Sequence, residues 1–193
     1  MQPTTSLFWF QVTKGRLVVS VLWQDAWPPI RRILLTSRRQ EARVHLRESF
    51  PGAQPGIGKQ LKDFQTNLQE YLSGYPVSFS SNLVALHLCS GFQRSVYLAT
   101  ASIPWGKVAT YHQIASFIGQ PGGSRAVGQA LARNPFPIVI PCHRVIKADG
   151  SVGGFSAGGS LKKLLLQLEI WQAKTGRSIL TELSQKGENG DLR

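Results

Sequence analysis

The segment Ile140-Pro141-Cys142-His143-Arg144-Val145 places a thiol beside an imidazole and a guanidinium, directly after an apolar, strand-like run that ends at Ile140. Thiolate is the reactive form of cysteine, and a positive or proton-accepting neighbour draws the pKa from about 8.5 towards neutrality. Pro141 fixes the backbone that enters the turn. The residue types therefore predict a tuned nucleophile at Cys142. Glu169 is the second unusual position: on a helical wheel it lies between Leu165 and Leu166, inside an apolar arc that includes Leu161, Leu164 and Leu168. A carboxylate in such an arc needs a partner. The structural alternative is a Glu169 that snorkels from the edge of the arc or pairs with Lys162. The other cysteine, Cys89, ends the apolar stretch Leu83 to Cys89 and reads as structural.

These residues need a scaffold, and the pattern divides the chain into an α/β unit over residues 1–85, a mostly helical unit over 86–175 and a tail over 176–193. Leu7 to Val12, a Lys14-Gly15 turn and Leu17 to Trp23 predict a β-hairpin, and Ile30 to Leu35 a third strand after Pro28-Pro29. Leu61, Phe64, Leu68, Tyr71 and Leu72 recur at helical spacing between Gly58 and Ser73, with Gly74 and Pro76 as the stop. Trp9, Trp23 and Trp27 read as packing aromatics, and Arg38, Arg39 and Arg43 to Arg47 as a solvated face. No residue of this half shows a catalytic signature.

In the second unit a helix is expected from Ser90 to Ala101, stopped by Pro104. Thr110 with Gln113 forms a capping box for a helix reaching Ile118, and after the Gly119 to Gly123 break Ser124 is expected to cap a helix running to Arg133, ended by Asn134-Pro135. This pattern is a helix-turn-helix candidate, although on pattern alone an ordinary αα-hairpin is favoured. On the second helix Val127, Ala130 and Leu131 point to a core, whereas Arg125, Gly128, Gln129 and Ala132 share another side. That side carries little with which to read base edges, and small residues there permit close approach to a duplex of any sequence.

Composition narrows the classes. The 193 residues, 42% hydrophobic, suffice for a globular core. Two cysteines 53 positions apart do not form a disulfide framework, and together with the scattered His45, His87, His112 and His143 they show no zinc-site spacing, so no metal or cofactor is expected. An intracellular, reducing compartment follows, with no signal segment, no membrane span and no membrane partner. Net charge is +12, from 22 Lys plus Arg against 10 Asp plus Glu, which favours a polyanionic partner. Over residues 90–187 eleven basic side chains face only Asp149, Glu169 and Glu182.

Five ordered blocks carry a family resemblance: Pro104-Trp105-Gly106-Lys107-Val108 with Thr110-Tyr111, Arg125-Ala126-Val127-Gly128 with Ala130, Asn134-Pro135, Ile138 to Val145, and Gly154-Phe155-Ser156 followed by the Leu-rich helix ending at Glu169. In these the chain resembles the O6-alkylguanine-DNA alkyltransferases, methylated-DNA-protein-cysteine methyltransferases. The N-terminal third is similar only in a general way to that family's variable α/β domain. The resemblance implies direct-reversal repair. A methyl or larger alkyl group passes once, irreversibly, from O6-alkylguanine, and also O4-alkylthymine, to Cys142.

It implies further that His143 takes the thiol proton through a water while Glu169 orients the imidazole, and that Asn134 braces the helix-turn-helix against the active-site turn. Arg125 corresponds to the finger that fills the gap left by a flipped base, and Tyr111 to the tyrosine that drives the rotation, with Gly128 and Ala130 completing the DNA-binding set. Val145 and Ser156 would hold guanine edges, Phe155 would cover the base and Lys162 would sit at the pocket mouth. Phe155 stands where the family has tyrosine; transfer is expected to survive the missing hydroxyl. The implied partner is double-stranded DNA containing alkylated guanine, bound by a monomer in the cytoplasm near the nucleoid, or in the nucleus of a eukaryote. Two other classes fit parts of the pattern: an alkylguanine-binding module without chemistry, which would lack the acceptor cysteine, and a helix-turn-helix regulator, which the bare second helix disfavours.

Overall fold

The computed structural model describes residues 6–175. The expected tail over 176–193 lies outside the described residues. The N-terminal unit is a sheet in the order β3-β2-β1-β4, built from β1 (Leu7–Lys14), β2 (Leu17–Gln24), β3 (Ile30–Thr36) and the two-residue β4 (Gln54–Pro55). The first two strands pair antiparallel from Leu7↔Gln24 to Lys14↔Leu17. Gly15, at φ 53, opens the two-residue turn between them, where a hairpin needs a positive φ. Every residue from Leu17 to Trp23 is buried, as a strand covered on both faces requires.

The hairpin, third strand and 58–73 helix agree with the sequence; the helix proper, α2, spans Lys62–Leu72. An unexpected helix, α1 (Arg39–Ser49), packs beside β2 and β3. Its basic side chains are exposed, so the Arg cluster is the solvated face of a helix that buries only Ala42 and Leu46.

The second unit holds α3 (Gly91–Ala101), α4 (Tyr111–Phe117), α5 (Ser124–Ala132) and α6 (Gly159–Thr175). Ser90 and Gln93 form a capping box on α3, and Thr110 and Gln113 form the expected one on α4. The Ser124 cap is corrected. Gly123 occupies the N-cap position and Ser124 is already helical, without a capping hydrogen bond, because the glycine-rich turn delivers the chain one residue earlier. The run before Cys142 is corrected as well: Phe136 to Ile140 is a tight turn in which Ile138 takes φ 77, not a strand. A β-branched residue in that region is strained and persists only where packing imposes it. Ile138, Val139 and Ile140 are all buried.

The two units share one continuous core, from Leu17 and Tyr71 to Tyr97, Phe136 and Leu165. Backbone hydrogen bonds tie them too. Ile33 N–H donates to the Pro135 carbonyl at 2.8 Å, and Ala85 N–H to the Ile30 carbonyl at 3.0 Å, so the outer side of β3 is clothed by two segments from elsewhere in the chain.

Candidate active site

A short parallel ladder sets the frame. β5 (Ala109–Thr110) pairs with β6 (Val145–Ile146), so the residue that opens α4, Tyr111, is fixed in register with the turn carrying Cys142, His143 and Arg144. Helix α5 closes the other wall. Tyr97 donates its hydroxyl to the Ala130 carbonyl at 2.9 Å, and at Gly128 an added Cβ would already stand 3.8 Å from the Tyr111 ring. Between these elements opens a cavity of about 480 Å³, lined among others by Tyr111, Arg125, Gly128, Cys142, Phe155 and Ser156. That volume suits a small organic group.

Cys142 is 4% exposed and supplies part of the cavity wall. The Asn134 side-chain amide donates to its sulfur at 3.1 Å and to the Ile140 carbonyl at 2.9 Å, while Asn134 Oδ1 accepts from Phe136 N–H at 2.9 Å. One side chain thus pins both ends of the turn. The thiol pKa is not drawn towards neutrality as its neighbours suggested. Burial pushes its pKa up, and the Asn134 hydrogen bond and the Lys162 charge offset that only in part. In the resting protein the sulfur keeps its proton.

His143 is fully buried, and its Nε2 lies 2.8 Å from Glu169 Oε1. An ionised carboxylate only accepts, so Nε2 carries the hydrogen and Nδ1 is left with its lone pair. Nδ1 is buried and has no hydrogen-bond partner among the described residues. Burial lowers the His143 pKa against the opposing pull of Glu169, so the ring is neutral at pH 7 and able to take a proton. Glu169 is 1% exposed; burial alone would raise its pKa, yet hydrogen bonds and charge from His143 and Arg144 hold it down to about 2.

The partner required by Glu169 is His143 joined by Arg144, not Lys162. Arg144 gives Nε to Oε2 at 2.8 Å and Nη2 to Oε1 at 3.0 Å, with Nη1 on the Ile103 carbonyl. It neutralises the carboxylate and does not tune the thiol directly. Lys162 is corrected from the pocket mouth to the interior: it is fully buried and donates Nζ to the Val145 carbonyl at 2.6 Å and the Gly154 carbonyl at 3.3 Å. Burial lowers its pKa to about 8. The Val145 carbonyl, expected to face guanine, already holds this ammonium. Ala130 is buried against the core and takes no part in the exposed face of α5, where Arg125, Gln129 and Ala132 stand.

Sequence reasoning missed Tyr71, from α2 in the half expected to contribute nothing. Its hydroxyl donates to Glu169 Oε1 at 2.8 Å and lies 3.2 Å from His143 Nε2. Its place in the apolar stripe of α2 concealed this, since an apolar stripe predicts burial and says nothing of where a hydroxyl ends. Cys89 is half-buried, and it follows two short 3₁₀ turns.

Comparison with known proteins places the arrangement. A family model described as the DNA-binding domain of 6-O-methylguanine DNA methyltransferase matches residues 91–171. The chain is 37% identical over 147 residues to a methylated-DNA-protein-cysteine methyltransferase of Methanosarcina mazei, covering 73% of this chain and 92% of that one. It is 41% identical over 109 residues to the protein of that name from Methanothermobacter thermautotrophicus, covering 56% of this chain and 61% of the relative. Among solved structures, the Mycobacterium tuberculosis OGT in complex with DNA superposes with a TM-score of 0.69 at 27% identity, over 92% of this chain and 99% of that one.

Proposed function

This chain belongs to the methylated-DNA-protein-cysteine methyltransferase family, and from that premise we propose that Cys142 accepts the alkyl group of O6-alkylguanine in DNA. The activity is direct reversal of alkylation damage. The Cys142 sulfur attacks the alkyl carbon, the carbon–O6 bond breaks with its electron pair going to guanine, and the base is restored as the protein becomes a thioether. Because no step regenerates the thiol, each molecule acts once.

The single observation that carries this reading is the buried chain of His143, Glu169 and Arg144, whose histidine and arginine lie on the same turn that sets Cys142 in the wall of a cavity. As the alkylated base enters, His143 Nδ1 takes the thiol proton through a bridging water, and Glu169 stabilises the imidazolium. The thiolate is held by Asn134 Nδ2 and has little solvent to shed. Phe155 covers the base and the Ser156 amide receives charge developing on O6.

Helices α4 and α5 act as a helix-turn-helix with α5 towards the duplex. Arg125 enters the stack in place of the extruded nucleotide and Tyr111 drives the rotation, the sparse face of α5 permitting approach without base readout. The protein works as a monomer wherever the cell keeps its genome, in the nucleoid or the nucleus.

Intact-mass measurement after exposure to a duplex oligonucleotide containing O6-benzylguanine tests the reading. One benzyl group per molecule is expected, absent in Cys142→Ala. Uptake that persists in that variant rejects Cys142 as the acceptor.

A further inference from the structure

A buried tyrosine hydroxyl needs one partner, and Tyr97 finds it in a backbone carbonyl. Tyr71 does something else. Its hydroxyl is directed onto Oε1 of Glu169, the oxygen that also takes the His143 Nε2 hydrogen and one Arg144 Nη2 hydrogen. The ring is fixed edge-on by Trp105, with centroids 5.2 Å apart and planes at 85°, and by Phe79 at 5.7 Å. The ionisable groups around this point are Glu169, His143, Arg144, Cys142 and Lys162. Of these, only Glu169 and His143 lie within hydrogen-bond distance of the Tyr71 hydroxyl.

We infer that Tyr71 is a positioning residue for alkyl transfer: it fixes Glu169 Oε1 and limits the charge that oxygen offers His143, so that the N-terminal unit sets the basicity of the base serving Cys142. The inference rests on the proposed role of His143. A donor on a carboxylate oxygen disperses its negative charge. Glu169 already has Arg144 across both oxygens and Gly106 N–H at 3.4 Å on Oε2, so its own need for partners is met without the phenol. What the third donor on Oε1 adds is a weaker pull on the imidazole proton. Burial of Tyr71 keeps the phenol protonated throughout the working pH range, so it remains a donor.

Removing the hydroxyl concentrates charge on Oε1 and favours imidazolium, and His143 must then be neutralised at higher pH before it can act. The test is Tyr71→Phe in a Cys89→Ser background, which retains the ring. Rates of Cys142 modification by iodoacetamide and of benzyl transfer from the oligonucleotide are followed by intact mass against pH. Normalised to its own plateau, each profile should have its acid limb displaced upwards by about 0.5–1 pH unit, a shift consistent with loss of one hydrogen bond to a charged group. Phe79→Leu, a packing lesion on the same wall, should lower the thermal midpoint and leave the limb in place. A Tyr71→Phe limb that superposes on the parent, or an equal displacement in Phe79→Leu, overturns the inference. The iodoacetamide profile needs no DNA, so it reads Tyr71 even where Cys142→Ala rejects the acceptor assignment.

Discussion

Asn134 Nδ2 stands 3.1 Å from the Cys142 sulfur, and the same amide group holds the Ile140 carbonyl two residues earlier. Asn134→Ala removes a donor to the thiolate and unties the turn. Benzyl transfer should fall by about tenfold or more, with a stability loss of about 1–3 kcal/mol from the unsatisfied carbonyl. Single-turnover kinetics and urea unfolding measure the two separately; a variant with the parent rate contradicts the role given to the amide.

Acid should weaken the fold through two groups acting in the same direction. Glu169, held at about 2 in the folded chain against about 4.3 when unfolded, contributes stability that is complete above the unfolded value and lost as pH falls through about 2. His143, lowered by burial, contributes stability that is complete above about 6.5 and lost as pH falls through its lower folded value. Urea midpoints should therefore decline steadily from pH 7 to pH 3. In Glu169→Gln the contribution of the carboxylate to that slope disappears, although Arg144 is left buried without its counter-charge at a cost of about 3–5 kcal/mol.

Gly153 lies at φ +68, and a Cβ there would stand 3.0 Å from the Tyr111 hydroxyl. Gly153→Ala is therefore strained in the backbone by about 1 kcal/mol and also displaces the ring proposed to turn the nucleotide. Transfer from duplex DNA should drop severalfold more than transfer from free O6-benzylguanine. Equal losses on both substrates count against a role for Tyr111 in extrusion.

Arg125→Ala gives the complementary contrast. It is exposed at the rim of the cavity and touches no part of the Cys142 turn among the described hydrogen bonds, so reactivity towards the free base should be unchanged while transfer from duplex DNA falls about tenfold or more. DNA affinity in the parent should fall steeply between 50 and 200 mM salt, as phosphate neutralisation requires. Fluorescence anisotropy across that range measures it; a flat response argues against a backbone-dominated surface.

The elements most legible in the sequence were those whose signals are local. The hairpin about Gly15, the capping box at Thr110 and the apolar stripe of α2 follow from a few adjacent residues. Glu169 was readable because a carboxylate stood in an apolar arc, Cys142 and His143 because thiol, imidazole and guanidinium stood together, and Asn134 only through the family resemblance; the structure links Asn134 to Cys142 and His143 to Glu169. Long-range packing hid the rest. Helix α1 buries only two residues, too few for periodicity to reveal, and the apolar run before Cys142 looked extended until Ile138 turned it. Lys162 was expected at the pocket mouth, and its burial was hidden because its two carbonyl partners come from segments 17 and 8 residues away. Tyr71 reaches across 98 positions.

The hydrogen bonds that occupy the flank of β3 bear on how the gene can be cut. A fragment ending near residue 85 loses the Pro135 carbonyl that Ile33 N–H requires, and an unpaired strand flank is a template for a second strand. Such a truncation should oligomerise through that flank, so the small sheet is better regarded as half of an obligate pair than as a module to be transplanted.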